Sequence, residues 1–392
     1  MIDTTVAQVS TGAGTAGLSA AERDKKERHA KHLQTAINTH KKERRRRYRD
    51  LVNRKRELEQ AVSTYQTMDK GLESVQVPAA FIRLLYRRPS TLWDNGPLPW
   101  GATIDRDAEL RSRPPITRLV HRDANAISLL MTLLYVAQID FPAGSTFLNQ
   151  RPNYIPRGTT EPWAQLAGFP TTGSTRAQRA RFTTALRALE SVGIVEPNKG
   201  RWAGFMLRVG DGRGDHVVLG DATARTVAVK VPAQFFYQGW HLVLKPKEIA
   251  VYLAILELSA RFSWRPTVTP DQEGVALPIV ERRGLYGITD EVYESIHLLD
   301  EFNLIDIKDT VDGRSRGKVK VFPPGDPNGS RAPEPYRLIY PPADVPSTGY
   351  LTGSTAFNFV EQHLRLYPAP PRLSDEINLE GFTLRWTPAP RP

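Results

Sequence analysis

The sequence predicts an α+β fold in which two similar domains of helices and β-hairpins follow one long basic helix. Three observations support this prediction. Residues 160 to 219 have the pattern of two helices and a hairpin, and residues 245 to 340 repeat that order of elements. Between residues 19 and 70 the chain has neither proline nor glycine and is rich in residues that favour helix.

The long basic N-terminal helix is expected to span residues 19 to 70, after a disordered start at residues 1 to 18. Residues 19 to 22 form a capping box. Residues 23 to 56 hold 15 Lys and Arg against 4 Asp and Glu, whereas the chain holds 53 against 42, so the other residues carry 38 of each. The net charge of +11 therefore belongs to this helix, which indicates a polyanionic partner.

One basic run in this helix is the predicted phosphate-binding surface. Its members are Lys41, Lys42, Arg44, Arg45, Arg46 and Arg47. An apolar repeat with spacings of three and four residues follows, which Lys55 interrupts, and its members are Tyr48, Leu51, Leu58, Val62 and Tyr65. This layout resembles that of a basic zipper helix. The apolar repeat is long enough only for a short coiled coil. We interpret this helix as one that binds phosphates independently of sequence. The alternatives are a zipper helix that reads bases and a helix whose charges are only solvated.

The first predicted domain covers residues 118 to 231. It follows residues 71 to 117, a segment broken by prolines that is expected to wrap onto it. Its predicted elements are helices at residues 123 to 139, 160 to 168 and 176 to 190, a strand after residue 191, and a hairpin of residues 201 to 209 with residues 216 to 219.

The third predicted helix of this domain has two different faces at about 100° per residue. The apolar face consists of Phe182, Ala185, Leu186 and Leu189. The face about 120° away consists of Arg176, Arg179, Thr183 and Arg187. One face can therefore pack, and the other can contact phosphates and bases.

The end of this helix carries a family pattern. Residues 185 to 194 read Ala-Leu-Arg-Ala-Leu-Glu-Ser-Val-Gly-Ile, which resembles the end of the recognition helix in the winged helix-turn-helix superfamily. The resemblance implies that the helix enters the major groove of double-stranded DNA, where its arginines pair with guanine edges, and that the hairpin is a wing. Two further DNA contacts are implied on the wing, Arg201 and Arg213. Winged helices also serve as protein-interaction modules, and that alternative stays open.

The second predicted domain, residues 240 to 341, has the same order of elements, and the prediction is therefore two tandem winged-helix domains. Its candidate recognition helix, residues 290 to 302, carries five acids and neither Lys nor Arg. Like charges would repel DNA phosphates, so this helix is expected to face protein, in self-association or with replication or transcription machinery. Its predicted wing can still contact the DNA backbone through Arg314, Arg316 and Lys318. Residues 342 to 392 form a Pro-rich extension with a short helix at residues 356 to 366.

Several classes of chemistry lack their sequence signals. The chain has no cysteine, no phosphate-binding G-x-x-x-x-G-K-[ST] loop, no H-E-x-x-H zinc motif and no apolar run of about 20 residues. We therefore expect no enzymatic activity, no cofactor, no metal site and no membrane span, and we expect a cytoplasmic protein associated with the nucleoid or a plasmid.

The layout of two winged domains with auxiliary segments resembles plasmid replication initiators, which bind repeated origin sequences and recruit the host replisome. Sequence-specific binding of double-stranded DNA in plasmid or mobile-element replication is therefore the predicted function. A transcriptional regulator would use the same winged domains and auxiliary segments, and it is the first alternative. The second alternative is a protein-interaction scaffold that does not bind DNA.

Overall fold

The computed structural model combines helices with small antiparallel sheets, as the sequence predicts. The residues that it describes are 10–11, 20–67, 71–88, 106–122, 124–139, 160–170, 175–197, 205–207, 228–262, 274–309, 336–340, 355–366 and 382–383. They belong to two compact units, of which one comprises Met1–Asn53, Lys308–Tyr336 and Val360–Pro392, and the other comprises Arg54–Ile307 and Arg337–Phe359.

The helices are numbered in chain order. They are α1 (Ala20–Asn53), α2 (Lys55–Thr67), α3 (Ala79–Ile82), α4 (Arg106–Arg111), α5 (Pro115–Leu119), α6 (Ala124–Ile139), α7 (Thr160–Leu166), α8 (Thr175–Ser191), α9 (Gln234–Tyr237), α10 (Trp240–Val243), α11 (Pro246–Phe262), α12 (Ile279–Gly284), α13 (Asp290–Tyr293), α14 (Ser295–Glu301) and α15 (Ala356–Leu366).

The strands are short and pair in four sheets. They are β1 (Ser10–Thr11), β2 (Ser74–Pro78), β3 (Val195–Pro197), β4 (Phe205–Leu207), β5 (Ala228–Pro232), β6 (Val275–Ala276), β7 (Asp306–Lys308), β8 (Arg337–Ile339) and β9 (Phe382–Thr383). The pairs are β1 with β9, β2 with β5 and β3 with β4, and the fourth sheet has the order β6-β8-β7.

The long helix predicted at residues 19 to 70 is divided in two. Helix α1 ends at Asn53 and α2 begins at Lys55. The interruption falls where the guanidinium of Arg54 donates a hydrogen bond to the carbonyl of Gly168, which lies in the turn after α7. The prediction of one continuous helix is therefore corrected to two helices that meet at this residue.

The apolar residues of α2 pack within their own chain. Leu58, Val62 and Tyr65 are at most 4% exposed, and α2 contacts α7 and α9. Gly239 adopts a φ of +79°, and a Cβ there would lie 2.5 Å from Cγ2 of Val62, so the backbone approaches α2 closely. This part of the predicted coiled-coil repeat is consequently occupied by intramolecular contacts.

Strand β2 lies in residues 71 to 117, the segment that is broken by prolines. It pairs with β5 in an antiparallel register that places Val75 opposite Val231. Its other edge is covered by the side-chain amide of Gln138 in α6, which accepts from the Gln76 amide at 2.7 Å and donates to the Gln76 carbonyl at 3.0 Å. The side chain thus satisfies backbone groups that a further strand would otherwise bind.

The segment of residues 71 to 117 contacts α6 of the first predicted domain through β2, and its other residues also contact α11 and α12. Arg83 forms an ion pair with Glu257 of α11. The amides of Leu84 and Arg88 donate, each at 3.0 Å, to the carbonyls of Leu285 and Gly284. These two bonds satisfy carbonyls at the C-terminal end of α12, which the helix itself leaves unpaired.

Helix α11 lies in the core of its compact unit. Every residue from 248 to 258 is buried, so this central part of α11 has no solvent face, whereas the two ends of the helix are partly exposed. The charge of Glu257 is compensated there because it accepts hydrogen bonds from Arg83 and from the Tyr286 hydroxyl.

Two groups of elements in this unit lie within the residue ranges of the two predicted domains. The first helical group comprises α6, α7 and α8, which contact one another, with the β3–β4 pair after them. The second helical group comprises α11 to α14 with the sheet β6-β8-β7. The helix predicted at residues 290 to 302 is interrupted at Glu294 and forms α13 and α14.

Candidate nucleic-acid interface

Helix α8 is the centre of the candidate interface. Its sequence contains no proline or glycine, and it is closed at the C-terminal end by Gly193, which has a φ of +78°. The Gly193 amide donates to Glu190 at 2.9 Å and the Ile194 amide donates to Leu189 at 3.1 Å. This is a Schellman motif, and both Ile194 and Leu189, the positions whose apolar side chains often accompany the motif, are buried.

The inner face of α8 is the predicted apolar face. Phe182, Ala185, Leu186 and Leu189 are each at most 2% exposed. The helix contacts both α6 and α7. Burial of these side chains fixes the rotation of α8 about its own axis, since turning the helix would bring the apolar face into water.

The outer face of α8 carries the predicted DNA-contacting residues. Arg176, Arg179 and Arg187 are exposed, and Thr183 is half-buried. At 100° per residue the four positions fall within an arc of about 80°. Glu190 is the one acid in α8 and lies on the same arc, in the last turn, where the helix dipole disfavours a negative charge. The structure therefore brings all four predicted residues together on one side of the helix.

Arg181 has a different role from the other arginines of α8. Its guanidinium donates to the carbonyl of Pro170 at 2.8 Å. The bond joins α8 to the chain that follows α7, and thereby helps to set the position of the helix.

Two arginines that the sequence does not indicate lie at the C-terminal end of α8. Arg118 of α5 donates to the Ser191 carbonyl at 3.2 Å, and Arg122 donates to the Ser191 hydroxyl. That hydroxyl in turn donates to the Ala188 carbonyl at 2.7 Å. Burial lowers the pKa of the Arg118 guanidinium, and the neighbouring charge of Arg122 lowers it further. Since about 70 residues separate these arginines from Ser191, no local pattern could have placed them there.

The basic run of α1 is only partly available to a partner. Lys42, Arg45 and Arg46 are exposed and Lys41 is half-buried. Arg44 and Arg47 are 8% and 7% exposed, and Arg44 donates to the His363 carbonyl in the last turn of α15 at 3.4 Å. A helical run of seven residues covers every face of the helix, so some of its members are turned away from solvent.

The predicted wing residues lie outside the part of the chain that the structure describes. These residues are Arg201, Arg213, Arg314, Arg316 and Lys318. Part of the first predicted wing is described, because β4 lies within residues 201 to 209. It pairs with β3 in a register that places Val195 opposite Leu207.

The helices α13 and α14 differ from α8 in charge, as the sequence indicates. Thr289 caps α13 by accepting from the Val292 amide at 3.4 Å, as its position before the helix suggests. Asp290 accepts hydrogen bonds from both Arg282 and Arg283. Glu291 and Glu294 are exposed. This surface therefore presents carboxylates where α8 presents guanidiniums.

Among the described residues, no cluster of three or more His, Asp and Glu side chains has the arrangement of a metal site, and no helix combines the length and apolarity that a bilayer span requires. The chain matches no protein-family model, no curated protein sequence and no solved structure.

Proposed function

We propose that this chain is a sequence-specific double-stranded DNA-binding protein whose two helical groups are winged-helix domains. Two features of the described elements support the fold assignment. In the first helical group three mutually packed helices precede an antiparallel strand pair. In the second, β7 and β8 are neighbours in the sheet although a long connection separates them in the chain, as the two sides of a wing would be.

The outer face of α8 is the observation that carries the proposal. A helix of about 10–12 Å diameter fits the major groove of B-DNA, which is about 12 Å wide. Arg176, Arg179 and Arg187 are exposed on the face about 120° away from the buried residues. Arginine can donate two hydrogen bonds to one guanine edge, so this face has the chemistry to distinguish base pairs.

Helix α1 supplies the sequence-independent part of the proposed binding. Lys42 and Arg45 are exposed, and Arg46 keeps an exposed guanidinium although it lies 3.8 Å from Asp50. Exposed charges of this kind bind phosphates by releasing counterions, and they do so on any sequence.

The second helical group is proposed to contact protein, either a second copy of the chain or replication machinery. Glu291 and Glu294 would meet DNA phosphates with like charge if α13 entered a groove. The resemblance to plasmid replication initiators favours a role in plasmid or mobile-element replication, in the cytoplasm with the nucleoid or a plasmid. Transcriptional regulation is the second candidate for the process.

The test of DNA reading is a comparison of two variants. We expect Arg176→Ala with Arg179→Ala to weaken binding to the preferred site by about 1–3 kcal/mol for each arginine that reads a base, and to lower the ratio of specific to nonspecific affinity. Arg111→Ala is the matched control, because Arg111 is exposed on α4. The site is first obtained by sequencing genomic fragments that the purified full chain retains at near-physiological salt. An unchanged affinity in the double variant would favour the protein-interaction scaffold.

The arrangement of the retained sites separates the two processes. Short direct repeats beside partition genes would support replication initiation. An inverted repeat within a promoter would support transcriptional regulation.

A further inference from the structure

We propose that Arg122, together with Arg118, binds a backbone phosphate of DNA at the C-terminal end of α8. This inference rests on the proposed DNA binding, and it adds a contact that lies outside the recognition helix. The contact would be independent of base sequence, because a phosphate carries no sequence information.

The positions of the two arginines are fixed by packing. Ile116 and Leu119 of α5 are fully buried, which anchors the segment that carries both guanidiniums. Arg118 is bound to the Ser191 carbonyl and Arg122 to the Ser191 hydroxyl, so both charges lie beside the last residue of α8. Arg187 is one helical turn before Ser191, at the spacing at which side chains on a helix are neighbours. Arg122 therefore lies beside the residue that is one helical turn beyond Arg187 on α8.

Among the described residues, no carboxylate compensates the charges of this pair. Within the described part of the chain, no Asp or Glu forms an ion pair with Arg118 or Arg122, whereas Arg88 and Arg113 both pair with Glu109. The Nε atom of Arg118 is buried and has no hydrogen-bond acceptor among the described residues. Two adjacent cations raise each other's free energy, and a phosphate that accepts from both would remove that cost.

Capping of α8 accounts for only one of the two arginines. A cation near a helix C-terminus stabilises the helix, and Arg118 meets that need by donating to the terminal carbonyl. Arg122 is bound to a side-chain hydroxyl and remains exposed. Arg122 is therefore the residue whose replacement separates phosphate binding from capping.

The experiment measures the affinity of the full chain for its preferred DNA fragment and for an unrelated fragment over a range of salt concentrations. We expect Arg122→Gln to weaken binding to both fragments about tenfold and equally, and to reduce the slope of log affinity against log salt by about 0.9. We expect Arg122→Lys to retain the slope, because it keeps the charge. Arg111→Gln, an exposed arginine on α4, should change neither quantity beyond experimental error.

Thermal unfolding of each variant accompanies the binding measurements. If Arg122→Gln keeps the wild-type affinity and slope while the wild-type chain binds DNA, the phosphate site is refuted and the proposed function stands. Lower thermal stability with unchanged binding would assign Arg122 to capping alone and refute the site in the same way. A wild-type chain that binds neither fragment would overturn the proposed function and this inference together.

Discussion

At the scale of single residues, arginine has several distinct roles in this chain that its sequence neighbours do not reveal. Arg83 pairs with the buried carboxylate of Glu257, and Arg88 joins Glu109 to the end of α12. Arg181 fixes the position of α8, and Arg176 is exposed. The roles differ because tertiary contacts decide whether a carboxylate, a carbonyl or only water lies within reach of each guanidinium.

His241 is the buried residue with the clearest consequence for pH. It is fully buried, and its ring lies 4.7 Å from the Tyr65 ring and 5.0 Å from the Phe236 ring. Desolvation lowers the pKa of His241 from 6.5 to about 3, against a smaller opposing interaction with the backbone of Phe235. The imidazole is therefore neutral in the folded protein at neutral pH.

We predict that acid destabilises the protein through His241 before most carboxylates are protonated. Below pH 6.5 the unfolded chain binds a proton at this histidine, whereas the folded chain does not until about pH 3. The free energy of unfolding should thus fall as pH decreases through this window, by up to about 1.4 kcal/mol per pH unit for one residue. Urea unfolding between pH 7 and pH 5 measures the effect.

The matched variant for this prediction is His241→Phe, which keeps an aromatic ring and cannot be protonated. Its free energy of unfolding should depend less steeply on pH than that of the wild type. Burial also lowers the pKa of His297, which contributes in the same direction and should leave a residual slope. Equal slopes in the two proteins would contradict the role of His241.

At the scale of elements, the ends of helices were predicted better than their surroundings. The sequence placed the bounds of α7, α8 and α15 within two residues of those observed, because capping residues and Gly193 act locally. It did not reveal that residues 248 to 258 of α11 are buried on all sides, since burial depends on elements distant in the chain. The break between α1 and α2 also escaped it, because the partner of Arg54 is the carbonyl of Gly168.

The close approach of Gly239 to α2 gives a prediction for element packing. Gly239→Ala should destabilise the protein more than Gly71→Ala does. Both glycines have a similar positive φ, of +79° and +77°, but only at Gly239 does an added Cβ meet another atom, Cγ2 of Val62 at 2.5 Å. The conformational cost is about 1–2 kcal/mol at each site, and overpacking adds about 1–3 kcal/mol at Gly239. Chemical denaturation of the two variants measures the difference, and equal losses would show that α2 yields to the methyl group.

At the scale of the whole molecule, the basic charge and the predicted base-reading surface belong to different parts of the chain. The surplus of +11 lies in residues 23 to 56, whereas the face proposed to read bases belongs to α8. If DNA is the partner, affinity and specificity should therefore respond to different variants.

We predict that replacing Lys42, Arg45 and Arg46 with glutamine weakens binding to every DNA sequence by a similar factor. The salt slope should flatten by about 0.9 for each phosphate that the variant no longer binds, and the specificity ratio should hardly change. Replacing Arg44 with glutamine is the comparison, because Arg44 is buried and donates to the His363 carbonyl. It should alter thermal stability more than the salt slope. Wild-type salt dependence in the triple variant would exclude α1 from the interface.

The sequence by itself determined the α+β class, the main helices of both helical groups, and the two faces of α8. Each of these follows from local periodicity, capping and turn residues, whose effects extend over a few positions. Only the tertiary structure decided that Arg118 and Arg122 meet Ser191, that Arg44 and Arg47 are buried, and that the segment before α6 supplies β2 and contacts α11. These outcomes depend on which groups become neighbours when the chain folds, and a side chain's neighbours fix its burial, its hydrogen bonds and its charge.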